Sequence, residues 1–230
     1  MIFSNDCFVK DKCAKFQKGK CHENEFCVKL FKQTQLYDLG LFSDTQRKHL
    51  FLNTDKDGTD ANEFSYLKSI QDNIVDFVSK GNNLYIYSSH CGNGKTSWAL
   101  RLAQSYIDNI WYRCDISCKV LFISVPKFFI SLKDNITNKS EYIQHIKENV
   151  VDCDLVIWDD IGTKVGTEFE IENMLNIVDN RLCNGKSNIY TSNMEPVLLN
   201  ERVGQRLYSR IVNMSTNIQL HGLDKRGFGY

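Results

Sequence analysis

LYIYSSHCGNGKTSWAL, residues 84–100, decides the architecture. Leu84 to Tyr87 read as a short buried strand, and Ala99, Leu102, Ala103, Tyr106, Ile107 and Ile110 recur beyond it at helical spacing. Between them SHCGNGKT, residues 89–96, follows the phosphate-loop pattern G-x-x-x-x-G-K-[ST], with Ser89 at the first glycine position. Such a loop wraps a phosphate chain with backbone N–H groups, so glycines permit close approach and unusual dihedrals. The N-terminus of the following helix adds partial positive charge where phosphates sit. The candidate nucleotide cradle is therefore His90, Cys91, Gly92, Asn93, Gly94, Lys95, Thr96 and Ser97. Lys95 would reach the β- and γ-phosphates, and the Thr96 hydroxyl would hold Mg²⁺. Ser89 shapes the turn and carries no charge. A chance glycine-rich turn is the bland alternative, and the strand before and helix after disfavour it.

Working outward, strands and helices alternate. Phe64, Leu67, Ile70, Ile74, Phe77 and Val78 predict a helix that stops near Gly81, and residues 28–62 read as a connector. Downstream, the strand candidates are residues 119–124, 154–158, 187–192 and 216–220. Residues 127–150 read as two short helices split by DNITNKS, and further helices fall at 171–182 and 197–212. Continuous apolar strands between amphipathic helices imply an α/β fold, with a parallel five-stranded sheet covered on both faces.

LVIWDD, residues 155–160, is an apolar strand ending in two carboxylates. Asp159 would complete the Mg²⁺ shell, and Asp160 would orient or deprotonate an attacking water. That pairing implies ATP hydrolysis more than transfer to a metabolite. Many such ATPases carry Glu at the second position; Asp160 is one methylene shorter, so slow turnover is expected. Asn193, at the tip of SNIYTS, could sense which nucleotide is bound; alone, it would be a turn-forming asparagine before Pro196. Arg202, Arg206 and Arg210 recur every four residues and are expected on one helix face. One of them could reach the nucleotide of a neighbouring subunit; a solvated basic face is the alternative. Arg226 is a weaker candidate for a second nucleotide sensor.

Four of the nine cysteines, Cys7, Cys13, Cys21 and Cys27, fall at the N-terminus, separated by five, seven and five residues. Four thiolates suffice for tetrahedral Zn²⁺, which could fold a segment with little core of its own. An iron–sulfur cluster or unliganded thiols are the alternatives, and His22 is a substitute ligand. Cys114, Cys118, Cys153 and Cys183 read as structural, and Cys91 as a tolerated small residue in the loop. The boundary is set at residues 1–59 for the cysteine-rich module and connector, and 60–230 for the ATPase domain.

With 28 Lys and Arg against 28 Asp and Glu, no global field draws the chain to nucleic acid or membrane, so any such contact needs a local patch. No apolar run is long enough for a membrane span, and the N-terminus lacks a secretory pattern, so no membrane partner and a cytoplasmic location are expected.

Together, SHCGNGKTSWA, DLVIWDDIG, IYTSN, ERVGQRLYSRI and LHGLDKRG resemble the AAA+ ATPases of the bacterial and phage helicase-loader family, the DnaC/DnaI type. The resemblance covers about residues 60–228. It implies a protein that binds the replicative hexameric helicase and uses ATP to place it on single-stranded DNA. It implies Arg210 as the arginine finger with Arg206 beside it, self-assembly when ATP is bound, and no full lid domain. It further implies that the N-terminal end docks on the helicase. It also implies that the insert at about 126–150, with Lys127, Phe128, Phe129 and Lys133, contributes to a DNA channel; the alternative is a core position, at least for one of Phe128 and Phe129, since two adjacent helical residues cannot both face the same way. The rivals are an AAA+ ATPase serving transposition, an adaptor that binds ATP but barely hydrolyses it, and, more remotely, a small-molecule kinase.

Overall fold

The computed structural model describes residues 14–19, 25–47, 58–137 and 139–224. Its elements run α1 (Ala14–Gln17), α2 (Glu25–Leu39), α3 (Asp44–Arg47), α4 (Ala61–Asp72), α5 (Ile74–Ser79), β1 (Asn83–Tyr87), α6 (Lys95–Ile110), β2 (Val120–Ser124), α7 (Val125–Thr137) and α8 (Glu141–Asn149). They continue with β3 (Leu155–Ile161), α9 (Glu168–Cys183), β4 (Ser187–Ser192), α10 (Pro196–Tyr208), a π-helical turn (Ser209–Asn213) and β5 (Thr216–Gln219). The strands form one parallel sheet in the order β2-β3-β4-β1-β5. The strand bearing the phosphate loop is thus separated from the acidic strand by β4.

Both sheet faces are buried, which is why the strands read as unbroken apolar runs. Leu84 and Ile86 point to a layer built with α2, α4, α5 and α6. Tyr85, between them, points to the opposite layer of α7, α8, α9 and α10, with Leu121, Trp158 and Tyr190. Period-two alternation therefore assigns each strand residue to one of two cores.

The segment expected as a connector holds most of α2. Leu36, Tyr37 and Phe42 are buried in the same core as Leu84 and Ile86. The Phe122 N–H donates to Gly40 O at 2.9 Å, so the chain after α2 runs against β2. A Cβ at Gly40 would lie 2.5 Å from Val120 O, so only glycine allows this approach. The polar sequence of α2 hid it, because only a few of its residues meet the core.

Two further expectations are corrected. Phe128 and Phe129 are 1% and 3% exposed, so neither offers a ring to DNA bases. α7 is covered on more than one side: Phe128 meets Trp158 edge-on, and Phe129 lies under the Gly166 loop. The neighbouring lysines are engaged as well, Lys127 over the Tyr142 ring at 4.4 Å and Lys133 with Glu170 at 3.4 Å. The three arginines do not share a regular helix face. α10 breaks at Gly204, with φ 77° and ψ 157°, between Arg202 and Arg206, and Arg210 lies in the π-helical turn.

Cys7, Cys13, Cys21 and Arg226 lie outside the described residues, as does the side chain of Cys27. Among the described residues, no group of three or more His, Cys, Asp or Glu could hold a metal ion, and no helix is long and apolar enough to cross a membrane.

Candidate functional site

The site lies at the carboxyl end of the sheet, where β1, β3 and β4 release their loops. The phosphate loop links β1 to α6, and Gly94, at φ 106°, is the residue preceding that helix. Gly92 also takes a positive φ of 75°. A Cβ on Gly92 would fall 1.8 Å from an Asp224 carboxylate oxygen, so glycine is needed both for the dihedral and for the approach of the tail after β5. Ser89 takes no positive φ, which explains why serine can stand at the first glycine position without strain.

The loop is held from inside. Ser88 Oγ accepts from the His90 N–H at 3.0 Å and from Asn93 Nδ2 at 2.6 Å, and Asn93 Nδ2 also donates to Leu220 O at 3.3 Å. The Ser88 N–H donates to Ser192 O at 3.2 Å, tying the loop's root to β4. Lys95 is 6% exposed, and its Nζ donates to His90 O at 2.7 Å and to Asn93 Oδ1 at 3.1 Å. Its ammonium is thus held by two oxygen acceptors of the loop itself.

Thr96 and Asp159 are brought together as expected: Thr96 Oγ1 donates to Asp159 Oδ1 at 2.8 Å. Thr191 Oγ1 donates to the same oxygen at 2.7 Å and accepts the Asp160 N–H at 3.0 Å. Asn193 Nδ2 faces Asp160 Oδ1 at 3.4 Å. One threonine therefore clamps both aspartates, and the strand-tip asparagine joins them.

Strand geometry explains the arrangement. Between the pairs Trp158–Tyr190 and Ile161–Ser192, β3 sets Asp159 and Asp160 against the single residue Thr191. This is a β-bulge, and Asp160 in it takes a left-handed φ of 61°. The bulge turns two consecutive carboxylates away from simple alternation, so both serve the same edge of the sheet. Burial raises the Asp159 pKa, with the Asp160 charge adding to it and hydrogen bonds from Thr191 and Thr96 and the Lys95 charge opposing it. Desolvation penalises the charged carboxylate, and a cation beside Asp159 would offset that penalty.

Hydroxyl and carboxylate oxygens are the hard donors Mg²⁺ takes, and loop N–H groups with a lysine suit a phosphate chain. The residues present fit a magnesium nucleotide. Arg206 and Arg210 are not brought to this cluster. Both are exposed, and Arg210 pairs with Asp179 of α9.

Several contributors carried no motif signal. Thr191 reads as an ordinary strand residue. Asp60, 0% exposed, accepts the His221 N–H at 2.6 Å and the Gly222 N–H at 2.9 Å, fixing the chain beyond β5 beside the loop. No sequence spacing could have linked residues so distant.

The profile of the bacterial DnaA ATPase domain matches residues 46–217. No curated protein matches the chain. Among solved structures, a DnaC helicase loader superposes with TM-score 0.59 at 18% identity, covering 81% of this chain and 99% of that one. The DnaI structure gives 0.60 at 18% identity, covering 80% and 94%. A replication initiator DnaA bound to AMPPCP and single-stranded DNA gives 0.56 at 20% identity, covering 77% of this chain and 50% of that one. The AAA+ fold expected from the sequence is thus the observed one.

Proposed function

The chain belongs to the family of the bacterial DnaA ATPase domain, and from that premise we propose that it is an ATP-dependent loader of the replicative hexameric helicase onto single-stranded DNA. The observation that carries the ATPase part is the convergence of Lys95, Thr96, Asp159, Asp160, Thr191 and Asn193 on one sheet edge. The loader part is supported by the likeness to DnaC and DnaI over nearly their whole chains.

In this reading the nucleotide's phosphates lie on the N–H groups of residues 90–96, and Lys95 leaves His90 O and Asn93 to meet them. Thr96 and Asp159 hold Mg²⁺, which neutralises charge on the phosphates. Asp160 accepts a proton from the attacking water, and Asn193 orients both. The short Asp160 side chain makes turnover slow. Arg210 exchanges Asp179 for the nucleotide of a neighbouring subunit in the ATP-bound assembly, with Arg206 beside it, and Arg226 senses the nucleotide within the subunit.

Cys7, Cys13, Cys21 and Cys27 ligate zinc in a helicase-docking module within residues 1–59, and residues 60–230 are the motor. The preference for zinc over an iron–sulfur cluster rests on ligand count and spacing, and metal analysis of the purified chain tests it. One zinc lost on Cys13→Ser is expected; iron with visible absorbance would replace zinc by a cluster.

The functional test is ATP turnover with and without single-stranded DNA, with Lys95→Ala as the blank, followed by capture of the host's hexameric helicase. DNA-stimulated turnover absent from the blank is expected. Tight ATP binding without turnover under either condition would replace the motor by a nucleotide-holding adaptor. Capture of a transposase instead of the helicase would move the chain to transposition.

A further inference from the structure

The insert at 126–150 offers no ring to DNA, because Phe128 and Phe129 are both core. With equal numbers of basic and acidic residues, a contact to nucleic acid needs a local patch somewhere else. One lies at the amino end of the sheet, opposite the nucleotide site, where α6 ends beside α2. α6 starts at the phosphate loop and runs back against the strands, so Ile110, its last residue, is at that far end. The turn that follows is WYRC, residues 111–114. Its own backbone holds it: the Trp111 N–H donates to Ile107 O at 3.1 Å, and the Arg113 and Cys114 N–H groups donate to Ile110 O at 3.0 and 3.1 Å.

Trp111 packs partly against the core. Tyr112 does not; at 65% it is the most exposed aromatic side chain among the described residues. The two rings meet edge-on, with centroids 6.0 Å apart. Each has a cation beside it. Lys29 Nζ of α2 lies 5.9 Å from the Trp111 centroid, and the Arg113 guanidinium lies 6.0 Å from that of Tyr112. Lys32 stands three residues beyond Lys29 on α2, on a neighbouring part of the same face. Asp108 of α6 accepts a hydrogen bond from Gln33, which keeps α2 against α6. Asp115, just past the turn, pairs with Lys119 at 2.6 Å. Among the described residues, no ion pair holds Lys29, Lys32 or Arg113. The patch therefore keeps its positive charge around an exposed ring, and burial does not account for that ring.

We propose that this patch binds single-stranded DNA, with a base stacked on Tyr112 and phosphates on Lys29, Lys32 and Arg113; the identity of the strand rests on the loader reading. An aromatic platform set among cations holds a strand without reading its sequence. Each nucleotide repeats both chemistries the patch calls for, a planar face and an anion. A duplex would present the anions but keep its base faces stacked on one another. Trp111, edge-on to Tyr112, braces the platform.

The test measures binding of a fluorescein-labelled oligothymidylate to the full-length chain, with and without ATP, across a salt series. Tyr112→Ala should weaken binding roughly tenfold or more, the worth of one stacked base. Tyr112→Phe, which keeps the ring, should bind as the unaltered chain does. Arg113→Ala should lower the slope of log affinity against log salt by about 0.7. Trp98 and Trp158 are buried, so quenching of tryptophan emission by the strand should come from Trp111 and vanish in Trp111→Phe. ATP turnover without DNA should be unchanged in all four variants, since the patch is remote from Lys95. Equal DNA affinity in Tyr112→Ala, Arg113→Ala and the unaltered chain overturns the proposal and leaves the loader reading standing. A Phe variant as weak as the Ala variant overturns the stacking. Loss of helicase capture with DNA affinity intact makes the patch a protein surface and overturns the proposal as well. An unaltered chain that binds no oligothymidylate in either condition overturns both the patch and the DNA part of the loader reading.

Discussion

Asp160 is the most constrained residue of the site. A left-handed φ costs a non-glycine residue about 1–2 kcal/mol, and it persists here because the Asp160 N–H is held by Thr191 Oγ1. Such strain is retained where surrounding contacts over-determine it. Thr191→Val keeps the shape and removes both the acceptor for Asp160 and the donor to Asp159. ATP turnover should then fall by roughly 10–100-fold, as for other supporting partners of site residues, with a smaller change in ATP affinity. A steady-state split of kcat from KM checks this. Lys95→Ala should lower turnover by about 10²–10³-fold, since it removes a fixed positive charge where phosphate charge develops. A radiolabelled phosphate-release assay reads it. The loop, Lys95 and the adjacent aspartates were legible in the sequence, because phosphate binding demands those residue types in local order. Thr191 was not, because its role exists only where β4 lies against the bulge of β3.

Elements depart from ideal geometry where a single residue breaks their period. Gly204, at φ 77° and ψ 157°, sits in a region essentially closed to other residues, although a Cβ there would meet nothing within 4 Å. Gly204→Ala should therefore cost about 1–3 kcal/mol through backbone strain alone, seen as a lower urea midpoint at unchanged slope. Four-residue spacing predicted one arginine face; the break and the following π-helical turn divide it. α9 begins with a capping box, in which Thr167 and Glu170 satisfy each other's backbone donors. Burial opposes ionisation of Glu170, yet the Thr167 N–H, Lys164 and the Thr167 hydroxyl outweigh it and hold its pKa below the ordinary 4.5. A depressed acid stabilises the fold above its unfolded value, and that stability is lost as pH falls through 4.5 toward the lower folded value. Glu170→Gln should therefore flatten the acid limb of the stability curve below that pH. Denaturant midpoints across a pH series measure it.

At the scale of the whole molecule, Asp60 closes the domain. It precedes α4, yet receives the N–H groups of His221 and Gly222 beyond β5. Asp60→Ala leaves these donors without their charged acceptor and should cost about 2–3 kcal/mol. It should also loosen the tail against the phosphate loop, because Asn93 bonds Leu220 O and Asp224 lies on Gly92. Lower thermal stability together with weaker nucleotide binding is the expected pair of results, read by calorimetry with and without ATP. α2 belongs to the same scale. Its residues Leu36 and Tyr37 join the ATPase core, and the Cys118 thiol meets its last carbonyl. α2 is therefore packed directly against the motor.

The sequence alone determined the α/β class, the strands, the phosphate loop, the acidic strand and the strand-tip asparagine. These are short-range patterns, since burial on both faces makes apolar strands and phosphate chemistry dictates loop composition. Only the tertiary structure decided that Thr191 clamps both aspartates, that Phe128 and Phe129 are both core, that Asp60 ties down the tail, and that Arg181 meets Cys153. Each depends on which elements become neighbours, and that follows from parallel pairing across long stretches of chain, which no local spacing encodes.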